Sequence, residues 1–404
     1  DNISAAPKTL RFLSALALQC FANDYIYHQT DEETKSLTIL ETLVQQALLK
    51  GIQPSPQQIL ILGSYKALHQ YQWCGQLSLT QDLQAVLAMQ VFEPQQERHL
   101  KTKIPILKEP SNKVSSKVRD QYEKSPYPKW IDLGWGLSPA PIAKVVKVLK
   151  IRLFEHSIIE VKAPTILIAG CGTGQHSINT AARFKNAKVL AIDLSLSSLA
   201  YAQRKTEALG VQNLEYMQAD LLDLGQLNKT FDIIESAGVL HHMENPMAGW
   251  KVLASCLKSG GLMKIGLYSE LARQHIVKMR EEIQQLGMGT DDIGMKRFRN
   301  EVISSKAPHH QLIISSPDFH SMDSLRDLLF HVQEHRFTIP QIQHCLTELG
   351  LKFCGFEVGT ITQDFKRTNS GEDDAYDLIK WHAYEQAHPH AFAGMYQFWC
   401  QKVG

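Results

Sequence analysis

The chain has 404 residues, 44% hydrophobic and 21% charged, with a formal net charge of +1. That length predicts two domains or one domain with a large insertion, and the near-neutral balance removes the electrostatic case for nucleic acid or an anionic membrane as main partner. Its seven cysteines include no CxxC pair, which argues against a zinc ribbon or redox dithiol and makes a reducing cytoplasm the expected setting; no apolar run approaches the ~20 residues of a membrane span.

Up to Phe92 the sequence reads as helices only. Leu10, Leu13, Leu16, Ala17 and Cys20 recur at helical spacing in TLRFLSALALQCFANDYIY. Thr30-Asp-Glu-Glu is a capping box opening a second helix that stops at Lys50-Gly51, Pro54 and Pro56 open a third, and LTQDLQAVLAMQVF forms a fourth. A helical domain is expected over 1–98. A linker or surface tether is expected over 99–118, where Pro105 and Pro110 interrupt a polar stretch. From Ala163 the pattern changes. TILIAG, KVLAIDLS, LEYMQADL, FDIIESAG and GLMKIGLY are short apolar runs separated by helical segments, which implies a parallel sheet with helices on both faces. Helical pattern then fills the stretch after Tyr268, an insertion of about 270–348, before LKFCGFEVG, a helix near Asp374–Ala387 and a last strand, MYQFWCQKV.

The strongest chemical signal is ILIAGCGTGQHS, which puts Gly170, Gly172 and Gly174 between the first strand and a helix. There a backbone must turn sharply, and the helix offers free N–H groups to a ligand. The dinucleotide fingerprint G-x-G-x-x-G/A fits badly, since its last position falls on Gln175 or Ser177. Asp193 ends the second strand, about 20 residues on, where a carboxylate meets ribose hydroxyls or caps the next helix; Asp220 ends the third, facing an adenine edge or capping a turn.

Glycine turn and two acids on successive strand ends resemble the S-adenosylmethionine-dependent methyltransferases of the Rossmann-like class, over roughly Thr165 to Tyr268. The resemblance implies a seven-stranded α/β sheet with helices on both faces, a methyltransferase domain over 119–404, S-adenosylmethionine as cofactor with S-adenosylhomocysteine as product, and no metal. It assigns cofactor contacts to Gly170, Cys171, Gly172, Gly174, Gln175, Asp193, Leu194, Asp220, Leu221, Ser236 and Tyr122. One departure stands out: the family commonly has an acid two positions before the first glycine, where this chain has Ile168. Gln175 and His176 are candidates to serve the methionine end instead.

The stretch DQYEKSPYPKWIDLGW contains a proline-aromatic box like that of amino-methylating DNA enzymes. It is not that box, because the fourth strand is followed by AGVLHHM and the strands are not permuted. Tyr122, Tyr127 and Trp130 are expected either as a lid over the sulfonium or as a packing segment. For acceptor chemistry the candidates are His241, Glu235 and Tyr127, with His242, Tyr268, Glu270, Arg273, His331 and His335 around the acceptor pocket. HVQEH, His331 to His335, matches a zinc-peptidase spacing if it lies on a helix, but offers no third ligand. Segments such as GVLHHMENPMAGWKVL and DLLFHVQEHRFTIPQI resemble bacterial methyltransferases fused to tetratricopeptide repeats. The expected reaction moves a methyl group to nitrogen or oxygen of a protein or peptide. A small metabolite as acceptor, or an adaptor that binds the cofactor without turnover, stays open.

Overall fold

The structure is a computed structural model that describes residues 6–110, 112–134, 138–357 and 359–404. Asp1, Ser111 of the expected linker, Trp135 of the proline-aromatic stretch and Val358 lie outside the described residues. The chain divides into two compact units. One comprises the chain to Thr102 together with Lys278–Phe330, the other Lys103–Val277 with His331–Gly404. The sequence reading put 270–348 as a cap on the methyltransferase domain, whereas the compact units divide that insertion at Val277 and Phe330.

The helical unit opens with Pro7–Ala22, Asp31–Leu49 and Pro56–Gly63. Thr30 and Glu33 form the capping box that the sequence implies, and Ser55 with Gln58 forms another in front of Pro56. Leu10, Ala17, Val44, Ile59, Leu60 and Val86 make its core. The fourth expected helix is broken: Gln84–Leu87 is α-helical and Ala88–Phe92 is a π-turn. The turn carries Gln90, a fully buried amide whose Nε2 donates to the carbonyls of Ala17 and Gly63 at 2.9 Å each while its Oε1 accepts from Leu68 N–H at 3.1 Å. A buried amide satisfied on both ends ties three segments together.

In the other unit all seven expected strands form: β1 Thr165–Ala169, β2 Lys188–Asp193, β3 Leu214–Gln218, β4 Phe231–Ala237, β5 Leu257–Leu267, β6 Leu351–Phe356 and β7 Tyr396–Lys402. Their order in one sheet is β3-β2-β1-β4-β5-β7-β6, parallel through β5, with β7 antiparallel to both neighbours. Ile166, Leu167 and Ile168 are all fully buried, the continuous apolar run that a strand covered on both faces requires. The chain winds outward from β1 to β2 and β3, then returns to the other side of β1 as β4. That reversal opens a crevice at the strands' carboxyl ends, which is where such sheets bind ligands. The stretch read as a linker is partly built in. It is helical up to Lys101 and again from Lys113, and between them Leu107 N–H donates to Gln218 O while Gln218 N–H donates to Pro105 O, both at 2.9 Å. The tether thus lies along the open edge of β3.

Candidate cofactor and acceptor site

The turn after β1 is shaped by glycines. Gly170, Gly172 and Gly174 have φ of +78°, +51° and +87°, in the left-handed region. A Cβ on Gly170 would stand 2.2 Å from Val239 Cγ2, on Gly172 2.7 Å from the Tyr127 carbonyl, and on Gly174 2.5 Å from Ala202 Cβ. Each position therefore demands glycine twice, for conformation and for space. Gly170 and Cys171 N–H both donate to Ile192 O at 2.9 Å, which holds the turn against β2. Gly174 then starts the helix Gln175–Arg183. Cys171 is buried, which pushes its thiol well above the ordinary range and leaves it inert.

Asp193 fastens the loop. Its Oδ2 accepts from Gly172 N–H at 2.8 Å and its Oδ1 from Ser195 N–H at 2.9 Å. Burial raises its pKa above the usual carboxylate range, against the opposing pull of these amides. The cap on the next helix, Leu196–Ala208, is Ser195, whose hydroxyl accepts from Ser198 N–H, so Asp193 is not spent as that cap. The Leu194 amide also faces this carboxylate, which still keeps lone-pair capacity. Asp220 differs: its Oδ1 accepts from Leu222 N–H at 3.0 Å and caps the short turn Leu221–Leu227, the alternative that its place before a turn left open. Leu221 is buried there, and Leu194 is half-buried beside Asp193. Ser236 was expected at the cofactor. Its hydroxyl instead donates to Ala169 O at 3.1 Å in the closed interior, so it steadies the end of β1 rather than offering a free donor.

The proline-aromatic stretch lies on this loop. The Thr173 hydroxyl donates to Pro128 O, and Trp130 Nε1–H donates to Thr173 O at 3.0 Å. Tyr201 OH donates to Trp130 O at 2.5 Å, and Ser197 N–H and hydroxyl reach the Glu123 carboxylate at 3.1 and 2.7 Å. What approaches Gly172 is the backbone carbonyl of Tyr127. The Tyr122 ring stands 5.8 Å from that of His331. None of Glu123, Thr173, Ser197 or Tyr201 was singled out from sequence. They come from separate segments, and only the fold brings them together.

Beyond β4, Leu240–His242 forms a tight turn. His241 is fully buried, stacks on Tyr268 at 3.8 Å between ring centres, and among the described residues has no hydrogen-bond partner at either ring nitrogen. Burial first, then His242, Arg273, His331 and His335, push its pKa well below the ordinary histidine value. The Arg273 guanidinium lies 3.6 Å from the Tyr268 ring centre and pairs with buried Glu334 at 2.7 Å. Arg336 reaches Glu334 at 3.5 Å and Glu270 at 3.0 Å. The imidazoles of His242 and His331 stack at 3.6 Å, and their Nδ1 atoms are each 2.7 Å from Gln333 O. His335 N–H donates to His241 O at 2.7 Å. The fold thus joins the two histidine motifs, HH after β4 and HVQEH.

Two expectations are corrected here. HVQEH is not helical: the helix Met322–Phe330 ends before it, and Phe337 pairs backbone to backbone with Tyr268 and Glu270 at 2.8 Å. The two histidines therefore do not share a helix face, and the zinc-peptidase geometry is absent. Glu235 is not placed as an acceptor-side base. It is fully buried, accepts from Thr180 Oγ1 at 3.0 Å and meets His176 Nε2 at 2.5 Å. Burial pushes its pKa up, but the bond and charge of His176, with Lys264 and Arg183, prevail and hold it at about 2, too acidic to take a proton.

A methyltransferase-domain family model matches residues 166–261. An uncharacterized Synechococcus protein is 32% identical over 235 residues, 55% of this chain and 56% of its own length. Phosphoethanolamine N-methyltransferase 1 of Arabidopsis thaliana is 27% identical over 128 residues, 32% of this chain and 26% of that protein. Probable (S)-tetrahydroprotoberberine N-methyltransferase 2 of Papaver bracteatum is 30% identical over 99 residues, 24% and 27% of the two chains. The chain thus spans about half the length of the Synechococcus relative and about a quarter of the two plant enzymes. Among solved structures, PKMT2 from Rickettsia typhi superposes with a TM-score of 0.50 at 15% identity, covering 68% of this chain and 54% of that one, a likeness of fold alone. Among the described residues no helix is long and apolar enough to cross a membrane. The chain carries a Rossmann-like, class I methyltransferase domain, and the cofactor of that class is S-adenosylmethionine.

Proposed function

We propose that the chain transfers the methyl group of S-adenosylmethionine to a nitrogen or oxygen nucleophile on a protein or peptide. The observation that carries this reading is the loop after β1. Three left-handed glycines, the Gly172 amide held by Asp193 and the overlying residues 123–130 make a tightly packed turn at the carboxyl end of β1, where a Cβ on any of the three glycines would strike protein. Bound there, the cofactor supplies a methyl group already activated by its sulfonium. The chain's own part is to aim the nucleophile and keep water out. Asp193 has lone pairs left for ribose hydroxyls, and the stretch from Tyr122 to Trp130 serves as the cover. The ring nitrogens of His241 have no hydrogen-bond partner among the described residues, which supports it as the candidate to take a proton from the acceptor.

A helical unit in the same chain supports a protein or peptide acceptor, because helical scaffolds offer extended grooves. A small amine is the second reading, favoured by the names of the two plant relatives. Seven free cysteines support a cytoplasmic setting. The test is incubation of the purified protein with methyl-labelled S-adenosylmethionine and a fractionated cell lysate. Label in a protease-sensitive band is the expected result. Label only among small molecules selects the second reading. No label, with cofactor binding intact, leaves an adaptor without turnover and sinks the proposal.

A further inference from the structure

Glu282, His309 and His310 form a cluster that methyl transfer does not use. All three belong to the helical unit, within its segment Lys278–Phe330. Glu282 lies on the helix Gln274–Gln285, and the two histidines open the helix Pro308–Ile314. His309 Nε2 is 2.6 Å from Glu282 Oε1, and His310 Nε2 is 2.7 Å from Glu282 Oε2. One donor atom from each residue lies within 4.8 Å of the other two. The side chains of His309, His310 and Glu282 are 11%, 14% and 27% exposed, which shelters the cluster and leaves a way in from solvent.

Neighbouring side chains on a helix point about 100° apart, so adjacent imidazoles ordinarily serve different surroundings. Here both rings, 4.3 Å apart between centres, bring the same nitrogen to one carboxylate. The turn that carries them is braced. Ser305 Oγ accepts from Ala307 N–H at 3.1 Å, and Gln311 Nε2 donates to Ser305 O at 2.7 Å.

Two imidazoles and a carboxylate are a donor set that zinc takes in open sites, with water in the fourth position. Bond lengths of about 2.0–2.2 Å put such donors roughly 3 Å apart, a few tenths of an ångström wider than the two close pairs stand. Rotation of the side chains supplies that difference. The carboxylate offsets part of the metal's charge, and the imidazoles discriminate against hard cations, which take oxygen ligands. When metal takes Nε2 of a neutral ring, the proton there passes to Nδ1. His310 Nδ1 is buried and has no partner among the described residues, so no second hydrogen bond holds that ring in its present tautomer.

We propose that Glu282, His309 and His310 bind a divalent transition metal of the zinc type. The site is additional to that of the cofactor. It joins two helices that otherwise meet here through hydrogen bonds, and so makes the stability of the helical unit depend on metal.

The test uses the untagged whole chain, stripped of metal and titrated with Zn²⁺ against a chromogenic chelator. Zn²⁺ bound per chain should fall by one equivalent when His309→Ala and His310→Ala are combined. Glu282→Gln keeps the side chain's shape, removes its charge and should weaken that equivalent by at least ~10-fold, the scale on which even groups behind a ligand act. Saturating Zn²⁺ should raise the melting temperature of the wild type more than that of the double variant, and Mg²⁺ should do neither. Co²⁺ gives an independent readout: the visible absorption of a four-coordinate site should appear in the wild type and vanish in the double variant. If circular dichroism shows that the double variant does not fold, Glu282→Gln decides alone, by Zn²⁺ affinity and the Co²⁺ spectrum. Equal Zn²⁺ binding by the wild type and the variants overturns the proposal and assigns the metal to adventitious surface histidines. A wild type that binds no Zn²⁺ overturns it as well, and leaves a carboxylate held by two imidazoles.

Discussion

At the glycine loop the chain works with backbone: three left-handed glycines, amides held by Asp193, and a carbonyl from Tyr127 laid against Gly172. At the turn after β4 it works with side chains, as three imidazoles, a tyrosine ring and the Arg273–Glu334 pair surround a neutral His241. The first arrangement can be built only from glycine, so it leaves a mark in the sequence. The second could be built from many residues, and it draws them from segments some 90 residues apart, His242 to Gln333 being one such link. A cofactor common to many enzymes fits the first kind of construction, and an acceptor particular to one enzyme fits the second. The contrast can be broken by experiment at either end.

The largest effect is expected at the imidazole end. His241→Asn removes the proposed base and should lower kcat by ~10²–10⁴-fold while S-adenosylhomocysteine affinity, measured by titration, stays unchanged. The pH dependence gives a second check. His241 is depressed in the folded protein, so below the unfolded value of about 6.5 the unfolded chain takes up a proton that the native state refuses. Stability should therefore be level above pH ~6.5 from this group and fall as pH drops below it, and His241→Asn should flatten that fall in urea melts. The acid limb of kcat/KM in the wild type should likewise lie below pH ~6.5, because the neutral form persists there. Equal losses of affinity and kcat would reassign His241 to packing.

At the backbone end, Gly174→Ala adds a methyl 2.5 Å from Ala202 Cβ and 2.9 Å from the Tyr216 hydroxyl, at φ +87°. The left-handed penalty of ~1–2 kcal/mol and overpacking of ~1–3 kcal/mol together predict a loss of ~2–5 kcal/mol in denaturant melts. Gly210→Ala is the internal control. It has φ +66° with nothing within 4 Å, so only the conformational ~1–2 kcal/mol applies. If the two variants lose the same stability, the loop is not sterically built in the way described.

Legibility in the sequence followed the same divide. The strands were readable because a strand covered on both faces carries a short continuous apolar run, as Ile166 to Ala169 of β1 does. The glycines were readable because their left-handed, crowded positions admit little else. Glu235 was misread as an acceptor-side group, since a carboxylate at a strand end looks the same whether it faces a ligand or pairs with His176 one helix away. HVQEH was given a helical geometry by its spacing, but Phe337 pairs with Tyr268 and Glu270 and the segment runs on from its helix. The helical insertion was read as one cap because nothing local in its sequence marks a division at Val277 or Phe330.

The smallest effect concerns the cover, where both kinds of construction meet. Trp130→Phe keeps a ring beside Lys205, whose ammonium lies 4.9 Å from the indole centre, but removes the Nε1–H bond to Thr173 O. Thr173 is fully buried, so its carbonyl is left without that donor, at a cost of ~1–3 kcal/mol in denaturant melts. If residues 122–130 only pack, the loss ends there and S-adenosylhomocysteine affinity is unchanged. If they cover the cofactor, Trp130→Phe should weaken that affinity as well, because the bound state needs the cover in register and the free state does not. A fall in stability without a fall in affinity therefore assigns the stretch to the scaffold. A fall in both makes it part of the site, held there by a side chain acting on the backbone of the loop.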